Sequence, residues 1–217
     1  MDIVRFTQEE NKWDEKLQSQ YSNHKRTGTH VSDLILCLRQ SVLAKDYEPK
    51  WETQTLFRFT MGRSLEKAFF EFFVEQSEDT IITQELEVEK NGIVGHIDFG
   101  GEEIDYECKL TWSREPSDKY LERDFKEYWL DQAGAYTYMR GRTKMNFIVC
   151  YLTPQPRLRC YQVTWEQEEL EELWDRFINK KLYVEKKLSE GQLPMRTVET
   201  WLCKGCPYNE VCYELPD

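Results

Sequence analysis

The sequence lacks long apolar runs, a basic charge balance, linker-like tracts and any quantity of histidine. Each absence removes a class of protein. No apolar run approaches the roughly 18 residues a membrane-spanning helix needs, so no membrane segment is expected. The first residues, MDIVRFTQEENKWDEK, are acidic where a secretory leader has a basic start and an apolar stretch. The expected location is therefore a cytoplasm, cellular or infected. Lys and Arg number 29 against 40 Asp and Glu, a net charge of -11, which excludes a uniform basic coat. A local basic groove survives that exclusion, because salt confines surface charge effects to about 8–10 Å. No internal repeat, low-complexity tract or Pro/Gly/Ser-rich linker divides the 217 residues. A single domain over 1–217 is the simplest organisation. No Gly-x4-Gly-Lys-Ser/Thr phosphate loop occurs, so motor activity would need a partner.

What is present is a chain able to form a core. Hydrophobic residues make up 40% and aromatics 14%. Seven cysteines, an odd number without a secretory leader, argue against a disulfide framework and for metal. Periodicity predicts a helix over 33–44 with Ser32 as N-cap and Cys37 inside it. A second helical region covers 51–76, with Phe69, Phe70, Phe73 and Val74 on its apolar face and Glu66 at the edge of that stripe. Residues 80–112 change to a period of two, an antiparallel three-strand meander turned by Asn91-Gly92 and Gly100-Gly101. EYWLDQAGAYTYMRG is a helix stopping near Gly141, and KMNFIVCYLTP and RLRCYQVTW are strands. Residues 166–189 form a long amphipathic helix capped by Thr164 and Gln167, with Leu170, Leu173, Trp174, Phe177 and Ile178 on its buried side. The expected fold class is α/β, a central mixed β-sheet flanked by helices.

The chemistry centres on GHIDFGGEEIDYECK. Asp98 ends one strand. Glu107 and Lys109 are two apart on the next and share a face, with Cys108 opposite. Convergent carboxylates suit a hard cation, Mg²⁺ or Mn²⁺. Such an ion orients a phosphate, lowers the pKa of a bound water and stabilises the leaving oxygen. A lysine beside it can orient or help deprotonate the water and offset charge on the phosphorane. Taken alone, D…ExK arises by chance in a chain this acidic; its place on two apolar central strands adds weight. Glu66 upstream could supply a third carboxylate. Gln132 and Tyr136, four apart on one helix face, could hold a strand or the nucleophile. His96 would be an outer partner of Asp98 if its strand is regular.

In this order, GRSLE (Glu66), HID (Asp98), ECK (Glu107, Lys109) and QAGAY (Gln132, Tyr136) resemble the RecB-type branch of the PD-(D/E)xK nuclease superfamily. The motifs span 66–136. Two departures stand out: Glu66 occupies a position that is often His, and Ile97 replaces the namesake Pro. The resemblance implies a restriction-endonuclease-like core and a Mg²⁺- or Mn²⁺-dependent DNA exonuclease. Asp98, Glu107, Lys109, Gln132 and Tyr136 would be catalytic, and Glu66, Asp98 and Glu107 would ligate the metal.

Cys203, Cys206 and Cys212 form C-x2-C-x5-C in the tail, 200–213, which is too short for its own core. No histidine lies nearby, and Cys37 is the best distant fourth ligand. Structural Zn²⁺ and a 4Fe–4S cluster both suit four cysteines. The one-plus-three split and the SDLILC sequence around Cys37 resemble the iron–sulfur nucleases of the same branch, above all the CRISPR-associated Cas-four exonucleases and their viral relatives, over about residues 30–213. That resemblance implies a 4Fe–4S clasp joining the N-terminal helix to the tail. It also implies single-stranded DNA or single-stranded ends as substrate, and CRISPR integrase or recombination proteins as partners. Cys108, Cys150 and Cys160 read as buried core thiols.

Arg39, Arg63, Arg140, Arg142, Lys144, Arg157 and Arg159 are candidate DNA backbone contacts, although most basic residues are solvated surface. Trp112, Tyr120 and Trp129 could stack unpaired bases, with core packing the favoured reading of each. Two rival functions stay open: a non-catalytic iron–sulfur adaptor for an integrase or recombinase, and a zinc-stapled structure-specific endonuclease.

Overall fold

A computed structural model describes residues 7–21, 27–76, 81–117, 125–196 and 200–216. The elements are α1 (Thr7–Tyr21), β1 (Thr29–His30), α2 (Val31–Ile35), α3 (Leu38–Asp46) and α4 (Thr53–Gln76), then β2 (Ile81–Lys90), β3 (Ile93–Gly101) and β4 (Tyr106–Arg114). After these come α5 (Glu127–Met139), β5 (Lys144–Thr153), β6 (Arg157–Thr164), α6 (Gln167–Ser189), α7 (Thr200–Lys204) and α8 (Asn209–Glu214). The sheet is mixed, in the order β1-β3-β4-β5-β6, with β2 also paired to β3. β2–β3 and β3–β4 are antiparallel, β4–β5 is parallel and β5–β6 is antiparallel.

The predicted alternation over the meander holds, and its first turn forms at Asn91-Gly92. Both residues have positive φ (53° and 67°), which a tight hairpin requires and these residue types tolerate. The second turn differs from expectation. β3 continues through Gly101, and residues 102–105 make the reversal. Asp105 is the cause. It is 1% exposed, accepts the Gly101 N–H at 3.3 Å and pairs with Arg140 at 3.2 Å and Arg142 at 2.9 Å.

The core lies between the sheet and helices α5 and α6. Ile93 and Ile97 of β3, and Met145, Phe147 and Val149 of β5, pack with Ala133, Tyr136, Leu173, Trp174 and Phe177. Burying such side chains supplies about 1.5–3 kcal/mol each. Of the long helix's expected apolar stripe, Leu170, Leu173, Trp174 and Phe177 are buried and Ile178 is partly so. Its cap is Glu166 with Glu169 reaching back, not Thr164 with Gln167, because β6 runs through Thr164. α4 packs on β2 and β4, and Phe70 meets Phe99 at 5.6 Å. The side chains of Phe73 and Val74 lie outside the described residues.

The helix expected over 33–44 is two helices. His30 caps the first, with the Asp33 carboxylate accepting its backbone N–H at 2.9 Å; Ser32 is exposed within the helix. The backbone leaves helical geometry at Leu36 (φ -105°, ψ -104°), and Cys37 caps the second helix. Cys37 therefore sits at a break rather than in mid-helix.

Candidate active site

Asp98 accepts the backbone N–H of Cys108 at 2.7 Å. The carboxylate thus reaches across to β4 where the two strands part, their one registered pair being Phe99 with Tyr106. Glu107 is 1% exposed. Its Oε2 accepts from the Lys109 ammonium at 2.5 Å, and Lys109 also donates to Gln132 Oε1 at 2.9 Å. The Gln132 amide then donates to the Tyr136 hydroxyl at 3.0 Å. One continuous chain of hydrogen bonds joins β4 to α5. Gly95 makes it possible: a Cβ there would stand 2.6 Å from the Tyr136 ring, so only glycine lets that ring lie against β3.

The electrostatics follow from burial. Desolvation, reinforced by the Asp98 charge and opposed by Lys109, pushes Glu107 up to about 8. Desolvation and repulsion from Asp98 and Glu85 push Glu66 up to about 7. Asp98 is raised by burial, against the pull of Lys109 and the Cys108 N–H. Burial would lower Lys109, but Glu107 and Asp98 together outweigh it and hold it above its ordinary value. Lys109 is accordingly an ammonium, suited to orienting and stabilising charge rather than to taking a proton. Glu107 Oε1 is buried with no hydrogen-bond partner, a costly state for a carboxylate oxygen. Raised carboxylates and an orphaned oxygen are what a cation site presents when its charge is not compensated. The fit to a hard divalent ion is thus good at Asp98 and Glu107. Among the described residues, no three His, Cys, Asp or Glu side chains are gathered closely enough to hold a metal ion. Glu66 shares the groove without closing on the pair.

Of these groups, Asp98, Lys109 and Glu66 line a groove of about 1200 Å³. Sequence reading missed several of its members. Arg58 precedes Gly62 and Glu66 at four-residue intervals, one face of α4, and that spacing was the available signal. Lys126 lines the groove and donates to Thr111 Oγ1 at 3.1 Å. Glu85, at a positive φ of 52°, adds negative charge near Asp98 and Glu66.

Several expected contacts fall elsewhere. Arg39 is fully buried, and its guanidinium donates to the carbonyls of Pro194, Cys212, Leu215 and Pro216, so it faces no strand. Arg140 and Arg142 are held by Asp105 and by the Gly101 carbonyl. Arg157 and Arg159 pair with Glu115. Lys144 is exposed at the start of β5, away from the groove lining. Arg63 does line it, over the Tyr21 ring at 4.9 Å. His96 turns to Glu87 at 3.3 Å and stacks on His30. Trp129 is core, whereas Trp112 is 43% exposed; Tyr120 lies outside the described residues. Cys160 is exposed and Cys108 and Cys150 are partly buried, because β6 is an edge strand.

Cys37, Cys203, Cys206 and Cys212 line one small cavity. Burial raises the Cys206 thiol, and the other three thiols raise it further. Such mutual repulsion marks thiols that face one another, and a bound cationic centre would relieve it. Cys37 also lines the groove, so the cysteine cavity and the groove share a wall.

No protein-family model and no curated protein matches this sequence. Solved structures do. The protein SSO0001 superposes with a TM-score of 0.59 at 18% identity, over 95% of this chain and 98% of its own. The alkaline exonuclease LHK-Exo from Laribacter hongkongensis gives 0.53 at 11% identity, over 83% and 95%. A phage-related exonuclease from Haemophilus somnus 129PT gives 0.53 at 14% identity, over 75% and 83%. At these identities the likeness is one of fold. The chain has the mixed α/β fold also found in these exonuclease structures, a central sheet flanked by helices.

Proposed function

We propose that this chain is a Mg²⁺- or Mn²⁺-dependent DNA exonuclease acting on single strands or single-stranded ends, with a 4Fe–4S cluster in its cysteine cavity. The observation that carries the reading is the unbroken Glu107–Lys109–Gln132–Tyr136 chain beside Asp98, with Lys109 and Asp98 opening onto one groove. Asp98 and Glu107 would hold the divalent ion, with Glu66 auxiliary. When bound, that ion supplies Lewis-acid stabilisation and an activated water. Lys109, kept protonated by Glu107 and Asp98, orients the water and offsets charge on the phosphorane. Gln132 keeps the Lys109 ammonium aimed at the site. Tyr136 fixes Gln132 and so keeps its amide from turning.

Cys37, Cys203, Cys206 and Cys212 would hold the cluster, which supplies a covalent tie between the N-terminal helices and the tail. Zinc fits less well. Its structural sites are usually built from two short ligand pairs, whereas here one cysteine precedes α4 and three follow α6. DNA end processing for CRISPR adaptation or recombination, with an integrase or recombination partner, is the process this activity would serve.

The test is cleavage of end-labelled single-stranded DNA with Mn²⁺, comparing anaerobically purified wild type with Asp98→Asn, which keeps an acceptor for the Cys108 N–H. Stepwise degradation by wild type alone supports the site. Inactivity of a cluster-loaded wild type with either metal overturns it in favour of a DNA-binding adaptor.

A further inference from the structure

We infer that Trp112 and Arg58 form a base-stacking subsite for single-stranded DNA in the groove, a role that rests on the nucleic-acid reading above. Trp112 follows Lys109 by three residues on β4, about 10 Å along the strand. Regular alternation would set its side chain on the face opposite Lys109, but β4 shifts register between Thr111 and Arg114 and both residues line the groove, which puts the indole within reach of a base adjoining a phosphate at Lys109. An indole at this position could have packed into the sheet, yet 43% of Trp112 stays exposed. Its surroundings are built rather than incidental. The Arg58 guanidinium lies 5.2 Å from the ring centroid, and both side chains line the same groove as Asp98 and Lys109.

The pattern repeats elsewhere in that groove. Arg63 sits over Tyr21, and Trp51 meets Phe59 edge-on at 5.1 Å; all four line the groove. Cations alternating with aromatic rings suit an unpaired strand, whose bases offer π-faces while its phosphates seek positive charge. A duplex has its faces already stacked and gains nothing from Trp112. The groove lining carries Arg58, Arg63, Lys109 and Lys126 against Asp33, Glu48, Glu66 and Asp98, a balanced set of charges in a chain of net charge -11, and its cations can meet phosphate. Arg58 holds one side of the indole and offers its charge to the backbone; a base takes the exposed surface that remains. Trp112 is a positioning residue that sets which nucleotide lies over Asp98 and Glu107.

The experiment measures binding without cleavage. A fluorescein-labelled dT oligomer and a hairpin duplex of equal charge are titrated in EDTA against the full cluster-loaded chain, with anisotropy as readout. Trp112→Ala should weaken dT binding about tenfold, within the range a stacked base contributes, and leave duplex binding unchanged. Trp112→Phe should restore most of the loss, which a merely electrostatic groove would not require. Tryptophan emission should be quenched by dT in wild type, and part of that quench should vanish in Trp112→Phe. Unchanged dT binding in Trp112→Ala, or equal losses on dT and duplex, overturns the subsite. Trp112-dependent dT binding by a protein that cleaves nothing with Mn²⁺ would sink the nuclease reading and leave the subsite standing.

Discussion

Replacing Arg39 with Met asks whether the buried guanidinium is a structural clamp. Arg39 is 0% exposed and donates to four tail carbonyls, at 3.4 Å to Pro194, 3.2 Å to Cys212, and 2.9 Å each to Leu215 and Pro216. A charged hydrogen bond contributes about 1.5–3 kcal/mol. Pro216 is exposed and Leu215 partly so, and water can replace the donor there. Pro194 is buried, and Cys212 is half-buried within α8, so these two bonds are counted as lost. Losing two such bonds costs about 3–6 kcal/mol. Met keeps the aliphatic packing and removes the cost of burying a charge, which leaves a net loss of about 3 kcal/mol. For a chain of this size each kcal/mol lowers Tm by about 2–4 °C, so the expected drop is about 6–12 °C. Differential scanning calorimetry measures it, and timed reaction of the cysteines with a thiol reagent in the metal-free protein reports the tail. Faster labelling should accompany the lower Tm. An Arg39→Met protein that melts within a degree of wild type but binds DNA more weakly would refute the clamp and restore Arg39 as a DNA contact.

Two further outcomes follow from the site. Gly95→Ala puts a methyl 2.6 Å from Tyr136 Cε1; the ring must lift from β3, and single-turnover cleavage should fall at least tenfold (roughly 1.4 kcal/mol in the barrier) while far-UV circular dichroism is unchanged. The pH dependence comes from Glu66 near 7 and Glu107 near 8. Mn²⁺ must displace their protons, so its affinity by calorimetry should rise from pH 6 to about 8 and then level, with proton release on binding. Metal-free stability runs the other way. Between the unfolded carboxylate value of 4.5 and about 8 the folded state binds more protons, so stability should fall with rising pH across that window. A Mn²⁺ affinity flat from pH 6 to about 8 would contradict the first, and a metal-free stability that does not fall between pH 4.5 and about 8 would contradict the second.

Much of this was legible because local patterns carried it. The period of two around Glu107 and Lys109 and the four-residue step from Gln132 to Tyr136 are the local signals for side chains that meet in one hydrogen-bond chain. What escaped depended on partners far along the chain. Arg39 reads as an ordinary surface cation until its carbonyl partners, as many as 177 residues away, are seen. Arg140 and Arg142 form a basic turn in sequence, but Asp105 across the sheet engages them both. The break at Leu36 hides inside a sound helical period, since nothing local forbids a longer helix. Trp112 illustrates the converse: its exposure depends on what fails to cover it, and sequence carries no direct record of that.

The bond from Cys108 to Asp98 has its own consequence. A side chain stands where a neighbouring strand's carbonyl would ordinarily close the ladder, so position 98 answers to two masters, the sheet and the chemistry. Removing the carboxylate as Ala strands a main-chain donor as well as deleting the proposed ligand, and a dead protein would not say which loss mattered. Asn keeps an oxygen for the Cys108 amide while surrendering the charge. Comparing Asn with Ala at this one position therefore separates scaffold from reaction.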